Sequence, residues 1–183
     1  LFGQLIKPIE SAGDSHIRYE VLLRMRSEEG EPILPMAFIP AAERFNQMQA
    51  LDRWVIRQSF HLLKQIAATR EGAKVSFSLN LSGASLCDER FGQFLQEQFA
   101  YFAVPSHQIC FEITETAAIT NLTHAINLIR EFKKSGCKFV LDDFGAGLSS
   151  FSYLKNLPVD GIKIDGAFVR GIAHDQMDFS MVE

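Results

Sequence analysis

The sequence predicts an α/β fold, a TIM-like (β/α) barrel of repeated strand-helix units, and two observations carry that prediction. Short apolar or β-branched runs alternate with longer runs of helical period, the pattern of βα units around a parallel sheet or barrel. Nearly every strand candidate also ends in a polar residue of metal-ligand or catalytic type, which fits a barrel whose C-terminal strand ends share one face. The strand candidates are Leu1 to Ile9, His16 to Leu23, Lys74 to Asn80, Gln108 to Ile113, Lys138 to Leu141 and Gly161 to Ile164. Helices are expected from about Met48 to Ala68, Arg90 to Phe102, Thr123 to Ser135 and Ser149 to Leu154. In the third of these, Leu122, Ile126, Leu128, Ile129 and Phe132 mix spacings of three and four, so one face can pack on a sheet, and Gly136 stops the helix. Pro158 separates the Ser149 to Leu154 segment from the next strand.

With 183 residues, 47% of them hydrophobic and 22% charged, the chain is expected to be one domain, 1–183, with a real core. A formal net charge of −4 and a pI near 5.8 argue against a DNA or RNA polymer as partner, because neutralising phosphates needs clustered Lys and Arg. A small anionic ligand held by metal ions is compatible with that balance. Cys87, Cys110 and Cys137 form no metal-like spacing and fit a reduced, cytoplasmic setting. No run approaches the roughly 18 apolar residues of a spanning helix. The sequence opens on Leu1 rather than Met and closes on a helix-like Asp178 to Glu183 pattern, so the expectation is a fragment of a longer parent, one with room for a membrane anchor elsewhere.

The strand-end residues are Glu20 after Ile17-Arg18-Tyr19, Asn80 after Val75 to Leu79, Glu112 after Ile109-Cys110-Phe111, and Asp142-Asp143 after Phe139-Val140-Leu141. Lys163 and Asp165 follow in Gly161 to Asp165. Any one of these can be a solvated carboxylate, but adjacent Asp142 and Asp143 at a strand end repel unless a cation or proton compensates them. The donor set is all oxygen, which selects Mg²⁺ or Mn²⁺ over zinc. Two such ions sharing Asp142 can bind a phosphodiester, activate water and stabilise the charge of in-line displacement, with Lys163 holding the water or neutralising charge.

Other features read as structural. His16, His61, His107, His124 and His174 make no ligand spacing, and Phe45, Phe60, Phe94 and Phe132 at helical positions are expected in the core. Gly145 and Gly147 do not complete a phosphate-binding glycine pattern and suggest a flexible loop over the site.

Set beside known families, the chain resembles the EAL domain of bacterial cyclic di-GMP phosphodiesterases over essentially its whole length. The resemblance rests on Tyr19-Glu20-Val21-Leu22-Leu23-Arg24, Phe38-Ile39-Pro40-Ala41-Ala42-Glu43, Asp52-Arg53-Trp54, Ser78-Leu79-Asn80-Leu81-Ser82, Phe111-Glu112-Ile113-Thr114-Glu115, Asp142-Asp143-Phe144-Gly145 and Lys163-Ile164-Asp165. It implies an EAL-type barrel and hydrolysis of cyclic di-GMP to linear pGpG with two Mg²⁺ or Mn²⁺ ions. By position, Glu20, Asn80, Glu112 and Asp142 hold one ion, and Asp142 with Asp143 the other. Lys163 matches the lysine at the catalytic water, and Arg24 the arginine on ligand phosphate. Gln4 and Pro40 match residues near the nucleotide, Asp165 is placed with them, and Glu115 matches the glutamate that orders the loop after Asp143. That loop carries Ala146 and Leu148 where the family commonly has Thr and Tyr.

The resemblance also implies a homodimer, and a parent chain that adds diguanylate cyclase-type and sensory domains. In the family a further glutamate and a glutamine-containing segment lie beyond the position of Glu183, and barrels of this kind need about 250 residues. The expectation is therefore a C-terminally incomplete barrel, with exposed apolar edges and little turnover as residues 1 to 183 alone. The competing reading is an inactive cyclic di-GMP receptor, but such receptors usually lose metal ligands, and this chain keeps every one its length covers. A bare dimerisation scaffold is disfavoured for the same reason.

Overall fold

The computed structural model describes residues 1–9, 16–67, 69, 74–145 and 154–182. Along the chain run β1 (Phe2–Ile6), β2 (Ile17–Leu22), a small hairpin of β3 (Met25–Arg26) and β4 (Pro32–Ile33), then α1 (Pro35–Arg44) and α2 (Met48–Ala67). After these come β5 (Val75–Leu81), α3 (Gly83–Leu86), α4 (Phe91–Phe102), β6 (Ile109–Thr114), α5 (Glu115–Thr120) and α6 (Leu122–Lys134). β7 (Lys138–Phe144), β8 (Gly161–Ile164), α7 (Gly166–Gly171) and α8 (Gln176–Val182) complete the described elements. The expected strands and three of the four expected helices form within a few residues of their predicted limits. The helix expected over Ser149 to Leu154 lies outside the described residues except for Leu154, which opens a 3-10 turn.

One six-stranded sheet runs in the order β1-β2-β5-β6-β7-β8, with every pair parallel except β1 with β2. The antiparallel first strand departs from simple βα repetition, and its cause is the length of the link. Only residues 7–16 separate β1 from β2, too few for the crossover of a dozen or more residues that a parallel pair requires.

Strand parity sorts the side chains. Val75, Phe77, Leu79 and Leu81 of β5, Ile109, Phe111 and Ile113 of β6, and Phe139 and Leu141 of β7 are buried in the core beneath the helices. α2 meets them with Val55, Ile56, Phe60 and Leu63, α4 with Phe91, Phe94 and Leu95, and α6 with Leu128, Ile129 and Phe132. Phe111 and Phe139 stack across β6 and β7 with centroids 5.4 Å apart. Phe45 is a correction: it follows α1 with its ring largely in solvent beside the Arg44 guanidinium, because α1 ends before it and turns it outward. Cys110 and Cys137 behave as small hydrophobes, since burial pushes their thiols up to about 11 and about 12.

The alternate residues, Arg18 and Glu20, Ser76 and Ser78, Cys110 and Glu112, Val140, and Gly161 and Lys163, line the opposite face together. That face is concave. β2 and β8 are four steps apart in the sheet order, about 19 Å if the sheet were flat. Yet Lys163 Nζ on β8 lies 3.1 Å from Glu20 Oε2 on β2, a span two side chains close only when the sheet curls as part of a barrel wall.

Candidate active site

The C-terminal ends of the curled strands bring Glu20, Glu112 and Asp142 together, with one oxygen from each lying within 4.8 Å of the others. Lys163 reaches into this group: its ammonium stands 2.6 Å from Glu112 Oε2, 3.1 Å from Glu20 Oε2 and 3.2 Å from Asp142 Oδ2. Asn80, paired in register with Glu112, donates from Nδ2 to Glu20 Oε1 at 3.2 Å.

Burial is graded across the group. The Glu112 side chain is 2% exposed and that of Lys163 34%. Burial raises the Glu112 pKa, and the Lys163 ammonium offsets only part of that. For Lys163, burial alone would lower the pKa, but its bond to Glu112 and the charges of Asp142 and Glu20 win and hold it above the ordinary lysine range. Three carboxylates against one ammonium leave a formal charge of −3 + 1 = −2. An all-oxygen set with that deficit suits a hard divalent cation.

Asp142 and Asp143 owe their placement to a bulge. β7 pairs with β8 at Val140–Gly161 and Leu141–Ile162 and next at Phe144–Ile164, so both aspartates oppose Lys163. Asp143 takes φ +53°, its N–H donates to Asp142 Oδ1 at 3.0 Å, and the residue is exposed overall while its carboxylate is partly desolvated. Burial and then the Asp142 charge raise its pKa, with Asp165 adding to the effect.

The remaining sequence-predicted residues ring this group. Gln4, exposed on β1, stands opposite Glu20 in register. Arg24 leaves β2 half-buried and donates to its neighbour Leu23 O, and Pro40 is exposed within α1; neither makes a hydrogen bond or ion pair with the carboxylates. Asp165 caps α7, accepting from Ala167 N–H at 2.6 Å. Glu115, buried at the start of α5, accepts from Gly145 N–H at 3.3 Å and so touches the end of β7. The loop expected over the site continues through residues 146–150, outside the described residues.

Asp52 stands out in the sequence only as part of the Asp52-Arg53-Trp54 motif, which does not reveal its task. From the buried face of α2, its Oδ2 accepts from Ser82 N–H (2.9 Å), Ser82 Oγ (2.6 Å) and Ser85 Oγ (2.7 Å), pinning the turn that follows Asn80. A lone aspartate in register with Val55, Ile56 and Ser59 on an apolar helix face was the available signal.

A curled, mostly parallel sheet with an acidic cluster at its C-terminal strand ends is the wall of a βα-barrel. The chain belongs to the EAL domain family, whose model matches residues 7–183. It is 41% identical over 179 residues to the cyclic di-GMP phosphodiesterase PdeB of Shewanella oneidensis, covering 97% of this chain and 21% of that protein. To the cyclic di-GMP phosphodiesterase PdeF of Escherichia coli it is 34% identical over 166 residues, covering 91% of this chain and 22% of that one. The FimX EAL domain of Pseudomonas aeruginosa bound to c-di-GMP superposes with a TM-score of 0.82 at 32% identity, over 93% of this chain and 67% of that one. A further FimX EAL domain structure gives 0.85 at 32% identity, over 98% and 70%. The chain thus spans about a fifth of the length of the curated relatives it matches. Among the described residues no helix is long and apolar enough to cross a membrane.

Proposed function

We propose that this chain carries the catalytic site of a cyclic di-GMP phosphodiesterase, cutting one phosphodiester of the ring to give linear pGpG. The observation that carries the reading is the convergence of Glu20, Glu112 and Asp142 on one point with a formal deficit of two charges, in a chain of the EAL family. In the reaction a water oxygen bonds to phosphorus, the bond from phosphorus to O3′ breaks, and O3′ leaves with a proton. pGpG therefore keeps a 5′-phosphate. Glu20, Asn80, Glu112 and Asp142 would hold one Mg²⁺ or Mn²⁺ ion, and Asp142 with Asp143 a second. Bound there, the ions supply charge neutralisation for the phosphoryl oxygens and acidify water.

The chain's own groups do the rest. Lys163, held between three carboxylates, keeps its proton at neutral pH and presents a fixed positive charge to the attacking water or the phosphoryl group. Arg24 is suited to phosphate by its planar fork of donors, while Gln4, Pro40 and Asp165 border the nucleotide. Glu115 holds the backbone where the Asp143 loop begins. The wider assembly belongs to the same proposal: a cytoplasmic homodimer, with diguanylate cyclase-type and sensory domains elsewhere in the protein.

The test is cyclic di-GMP turnover by the full-length protein with Mg²⁺ or Mn²⁺, beside Glu20→Ala. Metal-dependent pGpG formation that disappears in the variant is the expected result. Nucleotide binding without turnover would assign the protein to the receptor class, and neither binding nor turnover would overturn the family-based reading.

A further inference from the structure

Lys163 meets the carboxylates only while β8 holds one register against β7. β8 has four residues and lies at one edge of the sheet, and its regular pairing with β7 covers two positions before the bulge interrupts it. Slipping by one residue would turn Lys163 to the helix side and bring Ile162 or Ile164 to the concave face. Something must fix the strand at its start.

We propose that Asp160 is a positioning residue for Lys163, acting as a three-way clamp that sets the register of β8. Its N–H donates to Phe139 O at 2.7 Å while its Oδ2 accepts from Phe139 N–H at 2.9 Å, so one residue closes both backbone groups of a single β7 residue. Its Oδ1 takes an ion pair from Lys133 Nζ at 2.7 Å, and the same ammonium donates to Pro158 O at 2.8 Å. Lys133 belongs to the last turn of α6. β7, β8 and the helix between β6 and β7 therefore meet at one carboxylate, three residues before Lys163. Asp160 touches none of Glu20, Glu112, Asp142 or Lys163 through a hydrogen bond or ion pair, so its influence on the site runs through strand placement. The structural claim stands on this geometry, and only its consequence for rate rests on the phosphodiesterase reading.

The experiment separates the two. In the full-length protein, free of metal and nucleotide, lysines are labelled with acetic anhydride at fixed pH and the Lys163 peptide is quantified by mass spectrometry. Asp160→Ala, losing a charge-assisted bond and an ion pair, is expected to label about tenfold faster at Lys163. Asp160→Asn, which keeps an acceptor for Phe139 N–H, and Lys133→Met, which removes the charged arm, should each fall near threefold. Asp88→Ala breaks the distant Arg53–Asp88 pair (2.7 Å) and controls for general destabilisation, with Lys163 labelling unchanged. In parallel, Asp160→Ala should lower kcat for cyclic di-GMP about tenfold with KM moved less than about twofold, and Asp160→Asn should recover part of that loss. Unchanged Lys163 labelling in Asp160→Ala, or an equal rise in Asp88→Ala, overturns the proposal. Should Asp160→Ala fail to fold, Lys133→Met decides on the same criterion. The expected labelling series in a wild-type protein that turns over no cyclic di-GMP would keep the clamp and discard the phosphodiesterase reading.

Discussion

Replacing Lys163 with methionine removes the ammonium from between Glu20, Glu112 and Asp142 while keeping most of the volume of its stem. Three carboxylate oxygens within 4.8 Å then face one another, with the Glu112 group almost wholly buried. Removing one partner from a fully buried ion pair costs about 3–5 kcal/mol. Here Lys163 is 34% exposed and Glu20 18%, and solvent screening reduces the expected loss to about 2–3 kcal/mol at neutral pH without divalent cations. With a urea slope of about 2 kcal/mol/M, the unfolding midpoint should fall by about 1–1.5 M. Trp54, the single tryptophan, on α2, supplies the fluorescence signal. Because the Lys163 pKa is raised, its contribution is full below the ordinary lysine range and is lost only as pH climbs through the still higher folded value. The deficit in the variant should shrink toward acid pH as the carboxylates take protons, Glu112 first, since burial already raises its pKa. Mg²⁺ or Mn²⁺ at about a hundred times its dissociation constant should restore about 2.7 kcal/mol. Wild type should gain less, because its ammonium competes for the same oxygens. A variant as stable as wild type without divalent cations, or one that gains no more from them, would refute the reading of this cluster as a cation site.

Two further outcomes follow from other parts of the chain. Asp52 has a pKa raised by burial, against the lowering effect of its bonds from Ser82 and Ser85, so its contribution to stability is full below the ordinary value of 3.8 and lost as pH rises through the folded value. The difference in unfolding free energy between wild type and Asp52→Asn should therefore decline with rising pH across that window in urea titrations, and a flat difference would contradict the account. Ala103 caps α4 in the left-handed region at φ 54°, so Ala103→Gly should stabilise by about 0.5–1 kcal/mol and lift Tm by about 1–4 °C, and an unshifted melt would refute it.

Much of this architecture was legible because apolar residues take alternate positions along Val75 to Leu81 and Ile109 to Thr114, and polar residues such as Asn80, Glu112 and Asp142 interrupt the apolar runs at the strand ends. The positions of Glu20, Glu112 and Asp142 at one end of the sheet follow from that alternation together with the barrel expectation. α1 is hard to read as a helix from sequence because Pro35 opens it and Pro40 lies inside it, and proline reads as a breaker unless its place in the first turn is known. The direction of β1 was hidden for a different reason: periodicity reports which face a residue takes, while direction depends on the link between strands. Nor could spacing show that Lys163 would contact three carboxylates directly, since that needs the curl linking β2 to β8. Asp160 and Asp52 act through backbone groups of distant residues, and no pattern within their own elements reveals a backbone partner.

The extra residue in β7 sets two demands against each other. Deleting either Asp142 or Asp143 would let the strand pair evenly with β8 and relieve a side-chain-bearing residue of a left-handed backbone. Variants chosen for thermal tolerance alone should drift toward that repair, shedding one carboxylate as they do. The irregularity is thus a place where robustness and chemistry can be separated by a single codon, and sequence libraries selected for each property should diverge there first.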